Sequence, residues 1–417
     1  MQGIVDVLKR YQHRNVKGYT IESLWKFLLL TEIANTLDNL ENHSSEPMGD
    51  IAQSFFNFVE KNKEIIRTDF STRLELCTQS LEEATTESND KNSYLPVSEA
   101  LHSGILKQLR VELGNFLSSE QQVVILVDNL DQAWEGQNGH IREKQNDIEA
   151  LSEILWGLLE VARQLPMELQ KNDSRRKSIQ LNLIIFLRSD IFYRIRKSAR
   201  EPDKIPYSLI KWDDTELLCN IIEERFISSF ETTPDPAILW QQYFCPIVNG
   251  TPTRDYIISS ILKRPRDIIY LVNAAVTIAI NRRHTRIEEE DIIEAEKMYS
   301  QYVFESVNVE NTSPGIDIEN VLSAFFGMPT VLTKNEILET LRLGGISDEM
   351  MEPTIDILRD LTFLGPETEE NQFAFSEAPE GSRKNKILAW RFASTKGQTE
   401  RFQIHKAFRA FLETKEV

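Results

Sequence analysis

The sequence predicts an α/β core, then an all-helical segment, then a small unit of helices and strands. Three observations carry that order. Two short unbroken apolar runs, Val123–Val127 and Leu181–Leu187, flank a helical pattern. From Trp212 to about Tyr299 the apolar residues recur only at helical spacing. The last hundred residues hold three short amphipathic helices followed by two strand-like runs, the pattern of a winged helix.

Composition narrows the function before any motif is considered. The 417 residues are 41% hydrophobic and 27% charged, as in ordinary globular proteins. Asp plus Glu number 65 against 47 Lys plus Arg, a net charge of −18. That balance excludes a general coater of nucleic acid, whose affinity comes largely from cation–phosphate contacts. Cys77, Cys219 and Cys245 form no CxxC pair, so neither a disulfide framework nor a zinc site is expected, and a reducing, cytoplasmic setting fits. Lys9, Arg10, Arg14 and Lys17 precede no long apolar run, and nothing approaches the roughly 18 apolar residues of a membrane span.

Trp25, Leu29, Ile33, Leu37 and Leu40 predict a helix over residues 20–40. Residues 41–120 read as a polar helical insertion, with a Ser/Thr/Asn/Glu-rich connection at Glu82–Ser93. Val123–Val127 is β-branched and unbroken, which predicts a strand covered on both faces. Residues 135–147 read as loop, and Ile148, Leu151, Leu155, Leu158, Leu159 and Ala162 as an amphipathic helix. Asp213 with Glu216 predicts a capping box, and Pro265 a helix start ahead of Ile268, Leu271, Val272, Ala275 and Ala279. Residues 306–316 read as a linker. Helices are expected at 317–326, 333–342 and 353–362, strands at Gln372–Phe375 and Ile387–Phe392, and a last helix carrying Phe402, Ile404, Phe408 and Phe411. The domains are therefore 1–210 (core, insertion at about 41–120), 211–305 (helical) and 316–417 (winged helix).

The chemistry concentrates at strand ends. Val123–Val127 delivers Asp128, followed by Asn129, Leu130 and Asp131. Ligands bind beyond the carboxyl ends of parallel strands, where a carboxylate holds the water shell of Mg²⁺. The second run ends in Arg188-Ser189-Asp190, and Arg264-Pro265-Arg266-Asp267 stands at a helix start. With Trp134 and Trp212, this order resembles the bacterial STAND and AAA+-like P-loop ATPases, some of them associated with phage defence. The resemblance spans about residues 120–410. It implies an α/β P-loop NTPase core, a helical lid and a C-terminal winged helix. It implies ATP and Mg²⁺, with Asp128 on the metal through water, Arg188 at the sensor 1 position, and Arg264 or Arg266 at sensor 2. Asn129 stands where many relatives place the water-activating Glu; an amide is no general base, and Asp131 is one candidate replacement.

The sequence also departs from that pattern. It contains no G-x-x-x-x-G-K-[ST] segment, hence no backbone cradle and no phosphate lysine. Only two parallel strands are evident, where such a sheet needs about five. The core is expected to lack its N-terminal Walker A strand, through a late start, a truncation or a split polypeptide, or else to be a degenerate ATPase. Hydrolysis is expected only if that segment comes from upstream or from a partner. The expected function is an ATP-dependent switch. A non-catalytic pseudo-ATPase scaffold and an initiator-like DNA-binding ATPase are the alternatives. Asp348, Glu349, Glu352, Asp356 and Asp360 against Arg359 make the third winged-helix helix a poor phosphate reader, so DNA is not the favoured partner. A protein partner or self-association is expected, and no membrane. Basic stretches at Arg175–Lys177, Arg194–Arg200 and Arg282–Arg286 read first as solvated faces. The six histidines show no metal spacing, and His405 reads as structural.

Overall fold

A computed structural model describes residues 19–41, 49–69, 72–73, 105–118, 123–128, 130, 141–170, 181–198, 206–231, 234–310, 316–376 and 379–416. The chain divides into two compact units, Met1–Tyr207 and Ser208–Val417.

In the first unit, α1 (Tyr19–Glu41) is a central helix rather than a surface one. Nearly every residue from Ile21 to Leu30 is buried, Lys26 included, and Leu40 alone of the expected stripe stands out at 67% exposure. A lysine in such a place requires a partner; Lys26 Nζ lies 2.8 Å from Glu168. The Trp25 indole donates to the Ile154 carbonyl at 2.9 Å. Both contacts are to α4 (Ile141–Gln170), which packs along α1. Gly157 permits that approach, because a Cβ there would sit 2.5 Å from Ile21 Cγ2. Helices α2 (Asp50–Lys61) and α3 (Lys107–Leu117) complete the helical side, with Phe55, Phe56 and Phe116 in mutual ring contact. Helix α4 begins at residue 141, inside the stretch expected to be loop, and the Glu82–Ser93 segment lies outside the described residues.

Strands β1 (Val123–Val127) and β2 (Leu181–Ile185) form a parallel pair in register Val123↔Leu181 to Val127↔Ile185. Helix α4 connects them and α5 (Ser189–Ser198) follows. The expectation of two covered faces is corrected. Val123, Ile125, Val127, Leu183 and Ile185 face the helical core, while Val124, Leu126, Ile184 and Phe186 are 50, 62, 43 and 41% exposed. An unbroken apolar run cannot report how many layers cover it; among the described residues, helices cover one face of this pair.

The second unit starts with α6 (Thr215–Ile227), whose N-cap is Asp214 rather than the expected Asp213: its carboxylate accepts from the Glu216 N–H at 2.9 Å. A two-residue hairpin, β3 (Ile247–Val248) with β4 (Thr251–Pro252), interrupts the expected all-helical run. Helices α7 (Thr253–Ser260), α8 (Pro265–Asn281) and α9 (Glu289–Glu310) follow. Pro265 is at the first turn of α8, and Ile268, Leu271, Val272, Ala275 and Ala279 are all buried as the spacing predicts. Helix α9 continues through the first part of the expected linker, with Val307 fully buried.

Beyond it come α10 (Ile318–Ser323), β5 (Val331–Thr333), α11 (Lys334–Leu343), α12 (Met351–Asp360), β6 (Leu364–Glu369), β7 (Gln372–Phe373), α13 (Pro379–Lys396), β8 (Arg401–Ile404) and α14 (Lys406–Arg409). The sheet order is β5-β8-β6-β7, every pairing antiparallel. Two expectations fail here. Ile387–Phe392 lies within helix α13, because its buried positions Ser382, Ala389 and Ala393 are spaced seven and four apart. Phe402 and Ile404 belong to β8 and only Lys406–Arg409 is helical at the end, so His405 is the N-cap of that turn. The helical segment and the C-terminal segment share one core, running from Leu218 through Tyr299, Val303, Phe325 and Phe363 to Leu412. Phe304 meets Phe411 at 4.7 Å, and the Phe411 N–H donates to Ser300 at 2.9 Å.

Candidate functional site

The strand pair positions the first candidate group. Val127 accepts from the Phe186 N–H at 2.9 Å, carrying the parallel pairing past the last registered pair. Asp128 therefore leaves the carboxyl end of β1 beside the start of the β2 exit, and it is exposed. Arg188, half-buried, lies three residues past β2, and its carbonyl accepts from the Phe192 N–H at 3.0 Å as α5 begins. The structure thus brings an exposed carboxylate and a guanidinium-bearing residue to the same end of one parallel pair. Asn129 and Asp131 lie outside the described residues, as does Trp134.

Arg264 and Arg266 belong to the second unit. Arg264 is the extended N-cap of α8, its carbonyl accepting from the Asp267 N–H at 3.1 Å; its half-buried side chain makes no capping bond. Arg266 is exposed in the first turn. Asp267 is buried beneath them, 1% exposed, next to Tyr299. The Tyr299 hydroxyl accepts from the Leu262 N–H at 2.9 Å, and its pKa is driven far up, first by burial and then by the Asp267 charge. The segment 262–267 is thus held by α9, which is what a fixed arginine pair requires.

Two polar clusters in the second unit were not legible in the sequence. In one, Asp291 is fully buried and accepts from Arg282 at 2.9 Å, from the Glu288 N–H at 3.0 Å, and pairs with His284 Nδ1 at 2.7 Å. Burial alone would raise its pKa, but the hydrogen bonds from His284, the Glu288 backbone and Arg282 hold it below the usual aspartate value. His284, Glu290 and Asp291 place ligating atoms within 4.8 Å of one another. Both Asp291 oxygens already serve donors, one of them a guanidinium, so the donor set is that of a clamp joining α8 to α9 and does not fit a dication. Arg286 closes on Glu288 at 2.9 Å. The basic stretch 282–286 is therefore largely absorbed by its own carboxylates.

In the other, the Tyr256 hydroxyl donates to the buried Glu296 carboxylate, and Lys406 Nζ stands 3.6 Å from the Tyr256 ring centre and 4.0 Å from Glu296. Desolvation pushes the Tyr256 pKa up and the Lys406 pKa down. This cluster ties α7 and α9 to the C-terminal turn. Nearby, His405 accepts from the Ala407 N–H through Nδ1 at 3.1 Å and meets the Phe375 ring edge-on. Desolvation first, then the charges of Arg409, Lys263 and Lys406, bring its pKa down to about 3.

The arginine runs elsewhere divide similarly. Arg196 lies over the Tyr207 ring at 4.9 Å and donates to its hydroxyl at 2.8 Å, while residues 175–177 are outside the described residues. Arg359 is buried against Asp356, leaving the exposed surface of α12 acidic.

Residues 216–308, which run from α6 through nearly all of α9, match the family described as the FunZ-associated C-terminal helical domain. No curated protein matches the chain, and no solved structure does. Among the described residues, no helix is long and apolar enough to cross a membrane.

Proposed function

We propose that the chain is an ATP-dependent molecular switch of the STAND and AAA+-like type, in which nucleotide state is coupled to a winged-helix module. The observation that carries it is the parallel pair β1–β2 ending in exposed Asp128 and half-buried Arg188. A carboxylate at that end suits the water shell of Mg²⁺, and an arginine on the next strand suits a terminal phosphate. The two side-chain types fit Mg·ATP. The missing Gly-Lys-Ser/Thr loop does not, so the phosphate cradle has to come from another segment. Bound Mg·ATP would supply an electrophilic γ-phosphate; Asp128 orients the metal's water, Arg188 balances phosphate charge, and Asp131 is the candidate base. Arg264 and Arg266 are assigned to nucleotide sensing, and the helical domain of the FunZ-associated type is the lid. The order helix, strand, two helices, two strands, helix, strand over 318–404, with β5 paired to β8, supports the winged helix, α13 filling the place of its wing.

The test begins with the coding frame upstream of Met1. With a Gly-Lys-Ser/Thr segment present, the protein should bind ATP in a Mg²⁺-dependent way. Asp128→Ala should reduce turnover about a hundredfold or more, the scale of losing one charge-stabilising group. Unchanged Mg·ATP binding and turnover in that variant removes Asp128 from the site. Absence of nucleotide binding with the segment present favours the non-catalytic scaffold.

A further inference from the structure

Helix α13 has a surface that nothing above uses. Its buried residues Ser382, Ala389 and Ala393 lie on one side. At 3.6 residues per turn the opposite side presents Lys384, Ile387, Leu388 and Arg391, flanked by Arg383 and Trp390. Ile387, Leu388 and Trp390 are 58, 40 and 64% exposed. Arg383, Lys384 and Arg391 are exposed and have no ion partner among the described residues, whereas Lys386 and Lys396 are neutralised by Asp356 and Glu370. Exposed large apolar groups interleaved with unpaired cations mark a docking face rather than a merely solvated one.

The same subdomain carries a surface of opposite character. Leu343, at the end of α11, is 88% exposed, and Met350 is 37% exposed. Glu339 stands one turn before Leu343, and Asp348 and Glu349 adjoin Met350. Glu339 and Glu349 have no ion partner among the described residues; Asp348 has only the exposed Arg342, at 3.2 Å. Helix α12 packs against both α11 and α13, and Lys386 reaches across to Asp356, so the two surfaces occupy neighbouring elements. An extended polyanion, duplex or bilayer, would be opposed by the chain's overall charge of −18. A narrow face that alternates acid and apolar side chains meets only the cations.

We propose that the Arg383–Arg391 face of α13 docks on the Glu339, Leu343 and Asp348–Met350 surface of a second copy, and reciprocally, forming a two-fold dimer. In such an interface each patch meets its complement twice, and Trp390 is the aromatic anchor. The test is sedimentation equilibrium of the full chain at low and high ionic strength. A dimer is expected that weakens as salt rises. Lys384→Glu with Arg391→Glu should weaken it about tenfold or more, as should Glu339→Lys with Glu349→Lys. The two reversed proteins, mixed, should re-form a dimer, because one half of the interface then pairs native charges and the other half pairs both reversed sets. Circular dichroism and thermal melting confirm that each variant is folded. A wild-type chain that stays monomeric at all concentrations overturns the proposal, as does a dimer indifferent to both reversals or a mixture that fails to re-associate. Tighter binding of a DNA duplex or of anionic phosphatidylserine vesicles, lost with the same two α13 substitutions, would assign the face to that polyanion and overturn it too.

Discussion

The two units solve the same packing problem differently. In the first, a buried helix α1 serves as the centre and, among the described residues, helices cover one face of the β1–β2 pair. In the second, helices and a four-stranded sheet close around one continuous core. Hydrophobic burial scales with apolar area removed from water. The second unit should therefore melt as one cooperative body, although the sequence divides it at the 306–316 stretch.

The strongest challenge to that contrast is Phe363→Ala. Phe363 is fully buried between Phe325 and Phe408, with ring centres 5.1 Å from each. Truncation should cost about 3–5 kcal/mol. Hydrogen exchange should then rise together over 216–307 and 318–412; a rise confined to the C-terminal segment would separate the two and restore a three-domain division.

The second is a pH dependence. His405 has its pKa lowered from 6.5 to about 3 in the folded chain. The unfolded chain binds the proton first, so stability is full above about pH 6.5 and falls as pH drops toward about 3, by up to about 1.4 kcal/mol per pH unit. His405→Asn keeps a cap acceptor and removes the titration. It should flatten that slope in the second unit's melting and leave the first unit's unchanged.

Gly157→Ala acts on the other unit. Alanine gains about 1 kcal/mol of helix propensity, but its Cβ would meet Ile21 at 2.5 Å. Overpacking of about 1–3 kcal/mol should prevail, giving a net loss of about 1 kcal/mol in the first transition alone by calorimetry. The smallest effect is expected at Leu126→Thr on the open face of β1. A change of about 0.5 kcal/mol or less in urea melts fits an exposed position. A loss of several times that amount would mean that the face is covered.

Much of this was legible in the sequence, for identifiable reasons. Spacing fixed the buried face of α8, and Pro265 its start, because helical period and proline's missing N–H are local properties. The strands β1 and β2 were legible as strands, and Asp128 and Arg188 as their exits. Whether one or two layers covered them was not, since coverage depends on other elements. Ile387–Phe392 looked like a strand by its aromatic and aliphatic content, yet small residues at Ala389 and Ala393 let a helix pack closely. The Tyr256–Glu296–Lys406 cluster joins residues far apart in the chain, Tyr256 to Glu296 across 40 positions, with Lys406 reaching Ser259 across 147. No local spacing announces such assemblies.

Strand β8 lies between β5 and β6, so its neighbours on both sides wait for residues 401–404. During synthesis those residues emerge after nearly everything they hold together. Until then β5 and β6 have open backbone edges, and the α10–α12 helices lack Phe402 and Phe408 to close on. The second unit thus folds after translation has passed its final strand, and a ribosome stalled even a short distance before it would leave a sticky, unfinished sheet for chaperones to shield.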